Sequence, residues 1–156
     1  SVTGSATRTV RIKRILMGGV STAVSISTFQ LLRTSTVGAG GTAVAPTVAL
    51  LDRGAAAAYA AATAVVQHWT TTLKATGTAV GGPITTRQVG TNVVTTPATA
   101  WIEPFAPLFP EAGVPIGSAI VLRGATDYLE VQNVTPANLG AGTVLTYLVE
   151  WEEDLS

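Results

Sequence analysis

The fold is decided by a stretch near the C-terminal end of the sequence, Leu145-Thr-Tyr-Leu-Val-Glu-Trp-Glu-Glu153. Every second side chain from Leu145 to Trp151 is apolar or aromatic, and the residues between them are polar apart from Leu148. This period of two is the pattern of a β-strand with one buried face. We therefore predict a strand over residues 142–152, with Tyr147 and Trp151 on its core side.

A second run alternates in the same way near the other end of the sequence: Arg8-Thr-Val-Arg-Ile-Lys-Arg-Ile-Leu-Met17. Its valine and first isoleucine share one face, while Arg11 and Lys13 share the other. Gly18-Gly19 follows the run, and residues 23–33 alternate again. This order predicts a β-hairpin.

The remainder of the sequence also favours strands. Threonine and valine, two of its commonest residues, are stiff at χ1 and fit a pleated surface. Further strands are predicted over residues 43–51, 64–73, 84–88, 93–96, 100–103, 118–122 and 128–132. The alanine-rich segment 55–63 predicts a short helical insertion. The pattern indicates one all-β domain over residues 1–156, an antiparallel β-sandwich or jelly roll of about eight to ten strands.

The composition excludes several classes of protein. The chain has 156 residues, nine basic and nine acidic side chains, no cysteine and 47% hydrophobic residues. Zero net charge argues against a nucleic-acid partner, because phosphate neutralisation needs a positive excess. The hydrophobic content excludes disorder caused by low hydropathy. Without cysteine there is no disulfide scaffold and no thiol nucleophile. Polar residues interrupt every apolar stretch, so we predict no transmembrane helix and no membrane partner.

The zero net charge conceals a separation of charge along the chain. Up to residue 87 there are eight basic residues and one acidic residue, and beyond it one basic and eight acidic residues. The first and last strands of a jelly roll are antiparallel neighbours, so we expect Arg11 and Lys13 beside Glu150 and Glu152 on an outward face. These charges either pair within one chain or join one subunit to the next. A third possibility is contact of the basic strand with nucleic acid.

Candidate catalytic groups are few. His68 is the sole histidine of the sequence, which excludes a multi-histidine metal site, and no Gly-x-Ser-x-Gly motif is present. Four carboxylates outside the acidic run 150–154 are candidates for a glycoside-hydrolysis pair, with solvated loop charges as the simpler interpretation: Glu103, Glu111, Asp127 and Glu130. We predict no catalytic residue, no metal site and no cofactor, and therefore a protein that is not an enzyme.

Two groups of apolar and aromatic side chains are candidates for binding. A segment that contains four prolines carries Phe105, Leu108 and Phe109. Such a stiff loop either folds over the end of the sandwich or inserts an apolar anchor into a partner. Trp69 and Trp101 are candidates for stacking on sugar rings.

Four stretches resemble sequences of one class of proteins: Arg11-Ile-Lys-Arg-Ile15, Pro107-Leu-Phe-Pro-Glu111, Gly117-Ser-Ala-Ile-Val-Leu-Arg123 and the closing Leu145-Thr-Tyr-Leu-Val-Glu-Trp-Glu-Glu153. Together with a middle region rich in threonine, alanine and glycine, they resemble small β-sandwich proteins of tailed-bacteriophage virions. The resemblance implies a structural virion protein on the capsid surface. The type expected is a head decoration protein that binds the lattice of the major capsid protein as a homo-oligomer, commonly a trimer. The alternative is the carbohydrate- or receptor-binding head of a phage fibre or tail protein.

Overall fold

The structure is a computed structural model that describes residues 1–49, 63–69, 77–93, 101–104, 119–135 and 142–155. The elements in these ranges are β-strands, which confirms the predicted all-β class. They are β1 (Val2–Thr3), β2 (Arg8–Ser21), β3 (Ser25–Thr34), β4 (Ala43–Val44), β5 (Val65–Val66), β6 (His68–Trp69), β7 (Thr85–Val93), β8 (Trp101–Pro104), β9 (Ile120–Arg123), β10 (Tyr128–Asn133) and β11 (Val144–Leu155).

The longest strand, β2, organises one sheet. It pairs antiparallel with β11 from Arg8 to Val20. Its other edge pairs with β9 at residues 9–12 and with β8 at residues 14–17, both antiparallel. Beyond these, residues 20–21 pair with β7 in parallel. The predicted strands 8–17 and 142–152 are thus confirmed as antiparallel neighbours. We call the pair of strands β2 and β11 the ladder.

A second antiparallel sheet has the strand order β7, β3, β10, β1, β5. Strand β7 belongs to both sheets, because residues 85–91 pair with β3 while residues 92–93 pair with β2. The two sheets are therefore joined at one edge and enclose a common core.

The predicted hairpin between residues 8–17 and 23–33 is wrong. Strand β2 continues through Gly18 and Gly19, and β7 lies between β2 and β3. A Cβ atom on Gly19 would lie 2.7 Å from the carbonyl oxygen of Val144 and 2.9 Å from Leu145 Cδ2. This glycine therefore permits β11 to approach closely in the middle of a strand instead of making a turn.

A β-bulge at Lys13 shifts the register of the ladder. Glu150 lies opposite Arg14 while the next residue, Trp151, lies opposite Ile12, so Lys13 is the extra residue of β2. The buried residues of β2 consequently have even numbers before Lys13 and odd numbers from there to the end of the strand. Without the bulge, one half of β2 would turn its apolar side chains outward.

The core collects the inward side chains of both sheets. Trp151 packs against it, as predicted. Tyr147 is 38% exposed, so its predicted core position is wrong. The buried apolar residues that form this core are Val2, Val10, Ile12, Ile15, Met17, Phe29, Leu31, Ala64, Val66, Val89, Leu122 and Leu129.

The middle of the chain departs most from the predicted strands. Of the strand predicted over residues 43–51, the described residues 43–49 contain β4 alone, which pairs with β6. The strand predicted over 64–73 begins as two short strands, β5 and β6. The helical insertion at 55–62 and the strand residues 94–96 lie outside the described residues, as do Phe105, Leu108 and Phe109.

Candidate functional site

The ladder brings the separated charges of the sequence together within one chain. Arg11, Lys13, Glu150 and Glu152, predicted to lie on one outward face, are all on the outer side of β2 and β11. Four ion pairs join the strands: Arg8–Glu153 at 3.2 Å, Arg11–Asp154 at 2.6 Å, Lys13–Glu152 at 2.6 Å and Arg14–Glu150 at 2.5 Å. The hydrogen bond between Arg11 and Asp154 raises the pKa of the guanidinium and lowers the pKa of the carboxyl group.

The outer side of the ladder has a charged end and an apolar end. The last three pairs above form the charged end, and their side chains are between 28% and 48% exposed. Beyond them Leu148 lies opposite Leu16, and Val144 opposite Val20. Leu148 is 42% and Val144 57% exposed. We call this surface the outer ladder face, formed by Arg11, Lys13, Arg14, Leu16, Val20, Val144, Leu148, Glu150, Glu152 and Asp154.

The inner side of the ladder ends in a buried carboxylate that sequence reasoning missed. Glu153 accepts hydrogen bonds from the backbone N–H groups of Thr63 and Ala64, at 3.0 and 2.9 Å. It also accepts from the Thr63 hydroxyl at 2.7 Å and from Trp151 Nε1 at 3.0 Å. Burial by itself would raise the pKa of Glu153, but the hydrogen bonds from Ala64, Thr63 and Trp151 outweigh it and lower the pKa to about 2.

A signal for this carboxylate is present in the sequence. Glu153 follows Trp151 by two residues, so the period of the strand places both side chains on the inner face. Glu152 and Asp154 lie on either side of Glu153, so residues 150–154 form an acidic run in which this alternation is not apparent.

Two carboxylates that were candidates for a glycoside-hydrolysis pair bind other groups of the fold. Glu130 is 3% exposed and accepts hydrogen bonds from the N–H groups of Gly38 and Gly77, each at 3.0 Å. Asp127 accepts a hydrogen bond of 2.8 Å from Arg33 Nε and binds Arg33 Nη2 as well. Nothing is described of the side chains of Glu103 and Glu111.

One exposed aromatic pair lies between β6 and β11. The hydroxyl of Tyr147 lies 2.6 Å from His68 Nδ1, and the two ring centroids are 5.5 Å apart. Partial burial raises the pKa of Tyr147. Trp69, a candidate for sugar stacking, is the next residue of β6 and is half-buried. For Trp101, the other candidate, the structure describes the backbone in β8 only.

The described part of the chain has neither a metal-binding cluster nor a membrane-spanning helix. Its histidine, aspartate and glutamate residues form no group of three or more that could hold a metal ion. None of its elements is a helix with the length and hydropathy needed to cross a membrane.

Comparison with known proteins gave no relative. No protein-family model matches the chain, and no curated protein or solved structure is significantly similar to it.

Proposed function

We propose that the chain is a structural, non-catalytic protein of a virus particle, which coats and stabilises the assembled capsid lattice as a homo-oligomer. In this proposal the outer ladder face and the apolar side chains Phe105, Leu108 and Phe109 make the protein contacts. The partner is the major capsid protein, and the place is the outer surface of the capsid.

The observation that carries the proposal is the kind of apolar side chain that the described part of the chain exposes. Apart from Tyr147 and Leu148, the large exposed apolar residues of the described ranges are all valine or isoleucine. Such β-branched side chains are already restricted at χ1, so covering them costs little conformational entropy. A surface of this kind suits contact with another protein over a wide area.

The buried carboxylates give further support. Glu130 and Glu153 each accept backbone N–H groups of other segments. These bonds stabilise a chain that has no cysteine and therefore no disulfide. Carboxylates that bind backbone groups in this way stabilise the fold. A coat protein that is exposed to solvent needs such a stable fold.

The copy number in purified particles tests the proposal. Quantitative mass spectrometry of particles of the virus that encodes the chain should find it in a fixed, near-stoichiometric ratio to the major capsid protein. Few copies per particle would favour a fibre or tail location. Absence from the particles would contradict both forms of the proposal.

A carbohydrate- or receptor-binding head domain is the second candidate, and the exposed Tyr147–His68 pair favours it. Aromatic rings at a surface stack on the apolar faces of sugars, and Trp69 is the next residue of the strand that carries His68. This candidate predicts that a polysaccharide shifts the tryptophan fluorescence of the wild-type protein. The shift should be lost in Trp69→Phe and weakened in Tyr147→Ala. A flat response across a broad panel of polysaccharides would reject this candidate.

A further inference from the structure

The outer ladder face carries two parallel rows of opposite charge. Arg11, Lys13 and Arg14 form a basic row on β2, and Glu150, Glu152 and Asp154 form an acidic row on β11. The apolar end follows at the same level on both strands, because Leu16 is opposite Leu148 and Val20 is opposite Val144.

This arrangement is complementary to itself. A two-fold axis parallel to the strands, midway between the rows, places β2 of a second copy over β11 of the first. The basic row of each copy then faces the acidic row of the other, and apolar end faces apolar end. A two-fold axis perpendicular to the strands would place β2 over β2 in the reversed direction, so that each row would face its own kind or the apolar end of the other copy. Like-charge repulsion disfavours the first arrangement, and desolvation of the charges disfavours the second.

We propose that the outer ladder face is a homodimer interface, in which two copies pack face to face about a two-fold axis parallel to β2 and β11. Basic and acidic rows on one face give an isologous contact, in which the same patch serves both copies. A head-to-tail contact would need the two signs on different faces.

The two ends of the face contribute differently. The charges are already paired within each chain, so they set register and orientation more than they add affinity. The apolar end supplies the free energy through burial of Leu16, Val20, Val144 and Leu148. Since the face is two strands wide, the contact area is at the small end for specific interfaces, and a dissociation constant of the order of 1–10 μM is expected.

Substitution at the apolar end tests the interface. Sedimentation velocity over a concentration series should show wild-type protein passing from monomer to dimer, and Leu148→Arg should remain monomeric. Ile26→Arg is the matched control, because Ile26 is 56% exposed on β3 and away from the ladder. Its dimerisation should be unchanged.

A charge swap tests the orientation. The variant with Lys13→Glu, Arg14→Glu, Glu150→Arg and Glu152→Lys keeps its pairs within the chain and remains complementary to itself. Against the wild-type chain, however, it places like charges over like charges at these two of the three pairs. Native mass spectrometry of an isotopically labelled mixture should show wild-type and swapped homodimers and at least tenfold fewer mixed dimers.

The proposal does not depend on a role in a virus particle. It is overturned if the wild-type protein is monomeric at about 500 μM, far above the expected dissociation constant. It is equally overturned if Leu148→Arg associates like the wild type, or if mixed dimers form at the statistical frequency. A trimer that Leu148→Arg leaves intact would show that copies associate through another surface.

Discussion

The carboxylate of Glu153 accepts a hydrogen bond of 2.9 Å from the backbone N–H of Ala64, across 89 residues of sequence. Glu153 belongs to the sheet organised by β2, whereas Ala64 leads into β5 at the edge of the other sheet. Arg8 completes the arrangement from the neighbouring strand, at 3.2 Å from the same carboxylate. The hydrogen bonds of the Glu153 side chain thus join the ladder to the opposite sheet.

Replacing this carboxylate with an amide should destabilise the fold. Glu153→Gln keeps the shape of the side chain but presents an N–H group to backbone donors that need an acceptor. We expect the free energy of unfolding to fall by about 2 kcal/mol in urea denaturation, within the range for hydrogen bonds to charged groups. Glu152→Gln, on the exposed side of the same strand, is the control and should change it by less than about 0.5 kcal/mol. Equal effects of the two substitutions would contradict the role of Glu153.

The pH dependence of stability should follow from the same group. The pKa of Glu153 is about 2 in the folded chain, below the ordinary value of about 4.3 expected when unfolded. The charged form therefore stabilises the fold fully above about pH 5, and this contribution is lost as the pH falls towards 2. Urea denaturation between pH 5 and 2 should show a steeper loss of stability in the wild type than in Glu153→Gln. Parallel curves would show that Glu153 does not titrate differently in the two states.

Gly77 should tolerate no side chain. A Cβ atom there would lie 1.8 Å from the carbonyl oxygen of Thr36, and the N–H of Gly77 donates to the buried Glu130. Gly77→Ala should lower the free energy of unfolding by about 2–3 kcal/mol, as overpacking does. In Gly90→Ala the new methyl group meets nothing within 4 Å, and stability should be unchanged or slightly higher. Thermal melts of the two variants make the comparison, and a neutral Gly77→Ala would contradict the close approach.

Two buried threonines should respond oppositely to valine. The Thr34 hydroxyl is fully buried and has no hydrogen-bond partner among the described residues, so Thr34→Val should leave stability unchanged or raise it. The Thr91 hydroxyl lies 2.6 Å from the Ser25 hydroxyl. Thr91→Val should therefore cost about 1 kcal/mol. Chemical denaturation separates the two cases, and an equal loss in both variants would show that Thr34 has an acceptor.

The sequence pattern predicted the ladder because strand periodicity and charge separation indicate the same pairing. Val10, Ile12 and Trp151 lie inward, and the charged side chains between them pair across the strands. The bulge at Lys13 was not predicted. At the bulge the inward residues of β2 change from even to odd numbers. A search for strict alternation does not recognise a strand in which the alternation shifts by one residue.

The remaining differences have local causes. Gly18 and Gly19 predicted a turn. In the structure, position 19 requires a glycine because β11 approaches closely there. Tyr147 was assigned to the core by its period, but its hydroxyl bonds to His68 at the surface. That contact joins residues 79 apart in sequence, and no local pattern specifies it.

A designed disulfide tests the central claim, the antiparallel pairing of β2 with β11 in the register observed between Arg14 and Val20. The chain has no cysteine of its own, and Met17 lies directly opposite Tyr147. Met17→Cys with Tyr147→Cys should oxidise in dilute solution to an intrachain disulfide, seen as the loss of two hydrogen atoms by intact mass and located by peptide mapping. Met17→Cys with Leu145→Cys, displaced by two residues, should remain reduced under the same conditions. Efficient cross-linking of the displaced pair, or cross-links between chains only, would contradict the ladder.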